Sequence, residues 1–377
     1  MGNPKTKEAL LIKLKLYRSI LVAALGALVF TLSCDRDCPV CPKPPTEPIS
    51  DYNFYISYFN EGQYYVYIYN TKALNIVDSI SLGISLTSHL YDMKVTADGS
   101  NLLIAYSDSL YQEILAVYDL GNRDFISSKA IAGQIEISNT GAYIAIMNDS
   151  LTFFNAQNFD FLYSDHIAPL GGRFSYDDSR FYAVDSVNQI RIYDMTTRSM
   201  YDTMRYNAFL QNPELHLCQP IPDESRIYLW AYFPGWQEFV LVSYDISRDS
   251  TGLFYPLGPG VGDLELTPDG STVIFTDPGD VAHDEFGSDN ISFIGVSSDR
   301  LLWSAPAGWA ITGWTRYGFH PGPLAITPDN RYVMAIGQGG YPIYALVDLQ
   351  QRRFVDINID HFMKTAFEQI TCQKMSK

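Results

Sequence analysis

From Tyr52 onward, apolar and polar residues alternate in short runs, the period of a half-buried β-strand. The runs are bounded by Gly, Pro, Asn and Asp, and helical spacing is almost absent. One phrase recurs along the chain. Its clearest copy, residues 264–275, is an alternating strand that enters a Thr267-Pro268-Asp269-Gly270 turn, followed by a second strand rich in β-branched residues. In such a turn Pro presets φ, and Asp and Gly supply the cap and the positive φ.

Further copies are Val95-Thr96-Ala97-Asp98-Gly99, Ile137-Ser138-Asn139-Thr140-Gly141, Phe174-Ser175-Tyr176-Asp177-Asp178, Ile221-Pro222-Asp223-Glu224 and Ile326-Thr327-Pro328-Asp329-Asn330. Measured at the third turn residue, they are 42, 37, 46, 46 and 60 residues apart. A second marker follows each turn, an apolar strand ending in Tyr-Asp or an equivalent: Tyr69-Asn70, Tyr118-Asp119, Phe154-Asn155, Tyr193-Asp194, Tyr244-Asp245 and Val347-Asp348. Residues 291–294 take that place in the sixth unit without the Asp. A polar turn and a last strand come next. Each unit therefore reads as four strands, A to D, and a period of about 40–50 residues in an all-β chain predicts propeller blades.

The TPDG-type turn and the YD-type strand end, recurring in register over about residues 52 to 372, resemble the YVTN and WD-repeat-like β-propellers of bacterial envelopes. No Trp-Asp dipeptide closes the C strands, so the strict WD signature is missing. The resemblance implies an all-β, seven-bladed propeller of four-stranded antiparallel blades over 51–377. It implies little about activity, because propellers carry many unrelated ones. The first unit begins at strand B, residues 54–58, with no strand A before it. The alternating segment 367–371 near the C-terminus supplies the missing strand, so the tail is expected to close the ring by joining blade one and removing an open sheet edge.

The N-terminus follows another pattern. Lys5, Lys7, Lys13, Lys15 and Arg18 precede an apolar run, 20–30, too short to span a bilayer comfortably. It ends at Thr31-Leu32-Ser33-Cys34, which resembles a lipoprotein signal with Cys34 as the lipidated residue, although leucine is usual where Thr31 stands. Residues 1–33 are thus read as a signal peptide and 34–50, with five prolines, as a stiff tether. Cys38 and Cys41 lack a redox context or a second zinc-ligand pair, and a local disulfide or a bond to another chain is expected. The expected location is the cell envelope, lipid-anchored and facing the periplasm or the surface, or otherwise secreted. A net charge of -16 argues against nucleic acid and against electrostatic membrane attachment, which leaves the lipid as the membrane contact.

Chemistry-bearing motifs are few. There is no G-x-S-x-G elbow, H-E-x-x-H helix, P-loop or dinucleotide fingerprint. The longest loops are predicted on the face formed by the B–C and D–A connections, where Trp236, Trp309, Trp314, Tyr317 and His320 form a candidate binding patch. Their alternative role is packing over the blade tops. Asp277, Asp280, Asp284 and Asp289 form an acidic loop that calcium, a multi-oxygen cation, would suit, with a plain solvated loop as the other reading. His283 and His320 lack a defined third ligand. Cys218 and Cys372 lie in apolar strands and are expected to be buried. The expectation is a non-enzymatic binding or scaffold module for a protein, peptide or glycan, with no required cofactor. The alternative is a lactonase-like hydrolase with its site over the central channel, which would need converging His, Asp or Glu side chains there.

Overall fold

The computed structural model describes residues 51–60, 63–85, 89–205, 214–233, 238–258, 262–277, 290–306, 320–338, 343–359 and 367–372. Within them the turn phrase closes each A–B hairpin by a recurring set of bonds. In blade two, Thr96 Oγ1 donates to Asp98 Oδ1 at 2.6 Å and accepts the Asn101 amide at 3.0 Å. The Gly99 amide donates back to the Thr96 carbonyl at 2.8 Å. Thr267 with Asp269, Thr327 with Asp329, and Ser175 with Asp177 repeat the arrangement. Against its partial burial, the bonds from Thr96 and Ser100 hold the Asp98 carboxyl below the usual carboxylate range. The fourth turn residue has positive φ in six copies, from 55° at Glu224 to 72° at Gly270. Glycine adopts that conformation freely, and Asp178 and Asn330 are the types that tolerate it best.

The Tyr-Asp marker builds the C–D turn. Asp119 Oδ1 accepts the amides of Gly121 and Asn122 at 2.7 and 2.9 Å, and Asn70, Asn155, Asp194, Asp245 and Asp348 cap their own turns likewise. In all seven blades the residue entering strand D has positive φ (Leu74, Arg123, Phe159, Arg198, Asp249, Asp299, Arg352). In all seven the C–D register slips as the strand reaches the marker. Such a bulge increases local twist, which turns each blade from the channel to the rim. Blade six has Gly295 at the marker and still makes the turn, with the Asp299 amide on the Gly295 carbonyl at 2.9 Å.

The strands pair as seven four-stranded antiparallel sheets. Strand A of blades two to seven is His89–Val95, Gln134–Ile137, Pro169–Phe174, Glu214–Pro220, Leu264–Leu266 and His320–Ile326. The sheet of blade one starts with Phe367–Cys372, which runs antiparallel to Asn53–Asn60 and pairs Cys372 with Phe54 and Ile370 with Ile56. Closure by the C-terminal strand is therefore as expected.

Seven apolar clusters fill the seven blade interfaces. The one at the closing joint sets Phe54, Ile56 and Tyr69 of blade one against Tyr332, Met334 and Leu346 of blade seven. Tyrosines of the marker stitch neighbouring blades. Tyr69 Oη donates to Asp356 Oδ2 of blade seven at 2.7 Å, Tyr118 Oη to the Leu82 carbonyl of blade one at 2.9 Å, and Tyr193 Oη to Asp165 Oδ2 of blade three at 2.8 Å. Burial and the neighbouring Asp356 push the Tyr69 hydroxyl far above its usual pKa, so it stays a donor.

Deleting residues from Ala366 onward removes strand A of blade one, exposes the backbone edge of Asn53–Asn60 and opens the joint. The truncated chain is expected to lose its cooperative thermal transition by near-UV circular dichroism. A sharp melt near the full-length temperature would show that the joint does not hold the ring.

Candidate functional site

Strand A faces the axis in every blade, so its side chains decide what the channel contains. The repeat aligns one channel position per blade, which in five blades lies two residues before the Thr or Ser that opens the turn. Four of the seven are charged: Lys94, Glu136, Arg173 and Glu265. Gln219, Ala325 and Thr371 complete the ring. Together with the A–B turns they line a cavity of about 620 Å³ on the propeller axis, which reaches the face carrying those turns. That volume lies in the range of small-ligand pockets.

Arg173 is the strut of this cavity. Its Nη1 lies 3.2 Å from Glu136 Oε2 of blade three, and its Nη2 lies 3.1 Å from Glu265 Oε1 and 3.6 Å from Asp263 Oδ1 of blade six. Nη2 also donates to the Leu264 carbonyl at 3.3 Å. The guanidinium thus crosses from blade four to blade six past blade five. Local sequence permits this. A Cβ on Gly171 would sit 2.8 Å from the His216 carbonyl, so only glycine lets strand A of blade five approach so closely. Tyr176 repeats the crossing nearer the mouth, where its Oη donates to the Pro268 carbonyl of blade six at 2.9 Å.

Two aspartates at an equivalent register serve the frame. Asp92 Oδ2 accepts the Ile135 amide of the next blade at 2.8 Å, and Asp263 Oδ2 accepts the Leu324 amide of the next blade at 3.0 Å. Burial pushes the Asp92 carboxyl up, partly offset by Lys94 and by the Ile135 and Met93 amides. Burial also pushes Glu265 up, opposed by Arg173 and Lys94. Burial disfavours charge on Lys94, but Asp92, Glu265 and Glu136 outweigh it and raise the ammonium to about 12. Arg173 is raised in the same way by Glu136, Glu265 and Asp263, against burial. Both cations therefore stay charged at neutral pH.

The opposite wall is apolar and neutral: Leu324, Ala325 and Ile326 of blade seven, with Thr371 and Cys372 of blade one. Cys372 and Cys218 are both buried, in line with the sequence, and burial pushes the Cys218 thiol up to about 12. His89 and His166 are exposed on strand or link ends, His216 packs on Phe239, and none lines the cavity. Among the described residues no group of three His, Cys, Asp or Glu could hold a metal ion.

Of the residues singled out from sequence, Trp236, Trp309, Trp314, Tyr317, Asp280, His283, Asp284, Asp289, Cys34, Cys38 and Cys41 lie outside the described residues. Asp277 closes strand B of blade six and His320 opens strand A of blade seven; their side chains are likewise outside the described part. The charged ring was not anticipated. Its signal was present in the alternation of Lys94-Val95-Thr96, Glu136-Ile137-Ser138, Arg173-Phe174-Ser175 and Glu265-Leu266-Thr267, a charge at one fixed distance before each turn. A search restricted to histidines and exposed loops passes over it.

No family model matches the chain, and no curated protein matches it. Solved structures do share the fold. Kuenenia stuttgartiensis hydrazine synthase is 17% identical, with a TM-score of 0.55 over 69% of this chain and 77% of that one. The Myceliophteria thermophila Cps50 (Swd1) beta-propeller domain is 10% identical, with a TM-score of 0.55 over 73% of this chain and 88% of that one. Dihydro-heme d1 dehydrogenase NirN, in complex with DHE, is 11% identical, with a TM-score of 0.54 over 86% and 77%. At these identities the likeness concerns the β-propeller fold alone.

Arg173→Met leaves Glu136, Asp263 and Glu265 without their shared counter-charge and is expected to cost about 3–5 kcal/mol of stability at pH 8. A carboxyl whose folded pKa is raised binds its proton more tightly folded than unfolded, so its ionisation costs stability as pH rises above the unfolded value of 4.5. The deficit of the variant should therefore shrink towards pH 4 as Glu265 takes up a proton. Equal urea midpoints for wild type and variant at pH 8 would remove Arg173 as the strut.

Proposed function

We propose that the protein is a lipid-anchored envelope module that binds a protein, peptide or glycan, and that its central channel receives part of that ligand. The observation that carries the reading is the channel wall, half charged and half apolar, around about 620 Å³ that opens at the A–B turns. Pockets of this make-up fix orientation through a few polar groups and gain affinity from apolar contact. The fold does not choose between binding and catalysis, since the proteins of like fold include a Swd1 propeller domain as well as a synthase and a dehydrogenase. The bonding within the channel favours binding over a lactonase-like hydrolase. Asp92 and Asp263 hold backbone amides, and Glu136 and Glu265 hold Arg173, so the carboxylates serve as fixed charge rather than as a free base.

The anchor has a direct test. Cells fed an alkyne fatty acid should label the wild-type protein and not Cys34→Ser, and the variant should leave the membrane fraction. A variant that keeps both label and membrane association would rule out Cys34 as the lipid site.

The channel has its own test. Ala325 is the smallest side chain of the ring, and Gln219 shows that a glutamine fits the equivalent position. Compounds that raise the melting temperature of the full chain in a metabolite and oligosaccharide screen should lose that effect with Ala325→Phe and have it reduced with Ala325→Gln. Hits that stabilise all three chains equally would place recognition elsewhere.

A further inference from the structure

Within the channel, the ion pairs are not all of one kind. Arg173 is fully engaged at its two terminal nitrogens, at hydrogen-bond distance from Glu136 and Glu265. Lys94 is different. Its Nζ stops 4.0 Å from Glu265 Oε1 and makes no hydrogen bond among the described residues. A lysine retained only to neutralise Glu265 would close to hydrogen-bond distance, as Arg173 does. Lys94 lines the cavity, and its ammonium carries three donors. The carboxylates have spare capacity too. Arg173 takes Oε2 of Glu136 and Oε1 of Glu265, which leaves Glu136 Oε1 and Glu265 Oε2 without a partner among the described residues. The residues that carry this ammonium and these two oxygens all line one cavity. The same cavity is lined by the apolar side chains of Leu324, Ala325 and Ile326.

These atoms have lost part of their hydration without a direct hydrogen bond inside the protein, and a ligand that completes the bonds offsets that cost. A purely anionic ligand would satisfy Lys94 and meet Glu136 and Glu265 with like charge. A purely cationic ligand would do the reverse. A neutral sugar could hydrogen-bond these groups but would bring no counter-charge to either sign. We propose that the channel binds a zwitterion, a free amino acid or short peptide with an apolar side chain. Its carboxylate lies on Lys94, its ammonium on the free oxygens of Glu136 and Glu265, and its side chain against Leu324, Ala325 and Ile326. This rests on the reading of the channel as the recognition site and narrows it to one chemical class.

The test uses the full chain and isothermal titration with leucyl-leucine, its N-acetyl form and its C-terminal amide. The free dipeptide should bind, and each blocked form should bind about tenfold more weakly or worse, since each lacks one charged hydrogen-bonding end. Lys94→Met should weaken the free dipeptide about tenfold while leaving the amide unchanged, because the amide has no carboxylate to lose. Glu265→Gln should weaken the free dipeptide and leave the N-acetyl form unchanged. Gln fills the space of Glu, so the second variant stays informative where the first fails to fold. Equal affinity for all three ligands, a uniform loss in either variant, or no heat at millimolar dipeptide would overturn the zwitterion assignment. If screening hits are still lost in Ala325→Phe, the channel remains the recognition site and only its ligand class is wrong.

Discussion

Every blade depends on the pairing of strand A. A four-stranded antiparallel sheet twists about its bonds and leaves an edge at each end, and an edge of free amides and carbonyls is a template for pairing with other chains. Six blades draw strand A from the chain just before strand B. Blade one has none to draw on, and Phe367–Cys372 reaches it from the other end of the domain. That one antiparallel pairing brings blade seven against blade one, where Tyr332, Met334 and Leu346 bury Phe54, Ile56 and Tyr69. The bond from Tyr69 to Asp356 exists only because the joint is closed. Loop-closure entropy for so distant a contact grows slowly with length, so the covered apolar surface and the paired edge outweigh it.

Closing the ring also determines the chemistry of its centre. Seven copies of strand A converge on one axis, and a residue at a single place in the repeat becomes a ring of seven. Of the four charged residues at that place, harmless on separate hairpins, Glu136, Arg173 and Glu265 are brought to hydrogen-bond distance and Lys94 to 4.0 Å from Glu265. Blade four adds geometry through Gly171, which lets blade five approach, and the Arg173 fork then reaches as far as blade six. Asp92 and Asp263 tie strand A of one blade to the next through the amides of Ile135 and Leu324. The lining is therefore stiff, and its charges are held in place before any ligand arrives.

The fold was legible in the sequence because its determinants are local. A threonine two residues before an aspartate makes the same turn wherever it stands, and the αL residue after each Tyr-Asp marker follows from that turn. Even blade six, which has Gly295 where the others have Asp or Asn, makes it through backbone bonds and the Ser298 hydroxyl. The closing strand was legible because its alternation had no local partner. The site was not legible, since it is made by convergence. Nothing near Glu136 indicates that Arg173 bonds it while also bonding Glu265, 92 residues further on. Side chains such as Trp309 and Trp314 draw attention because they are large and sit in long loops, whereas the ring residues are ordinary members of an alternating strand.

Buried ion pairs are weak evidence for stability. Replacing such a set by apolar residues of similar volume is often neutral or favourable, because desolvation cancels most of the attraction. Blade seven shows the simpler solution at the same ring position, where Ala325 lines the channel without any charge. A chain selected for stability alone could have used small or apolar residues at all seven positions and left a narrow neutral pore. Instead it keeps Lys94 charged against the cost of burial, 4.0 Å from its nearest counter-charge. Arg173 is explained by the frame, because it joins blades three, four and six. Lys94 joins nothing at hydrogen-bond distance, and a charge that does not hold the frame together is best explained by what enters the channel.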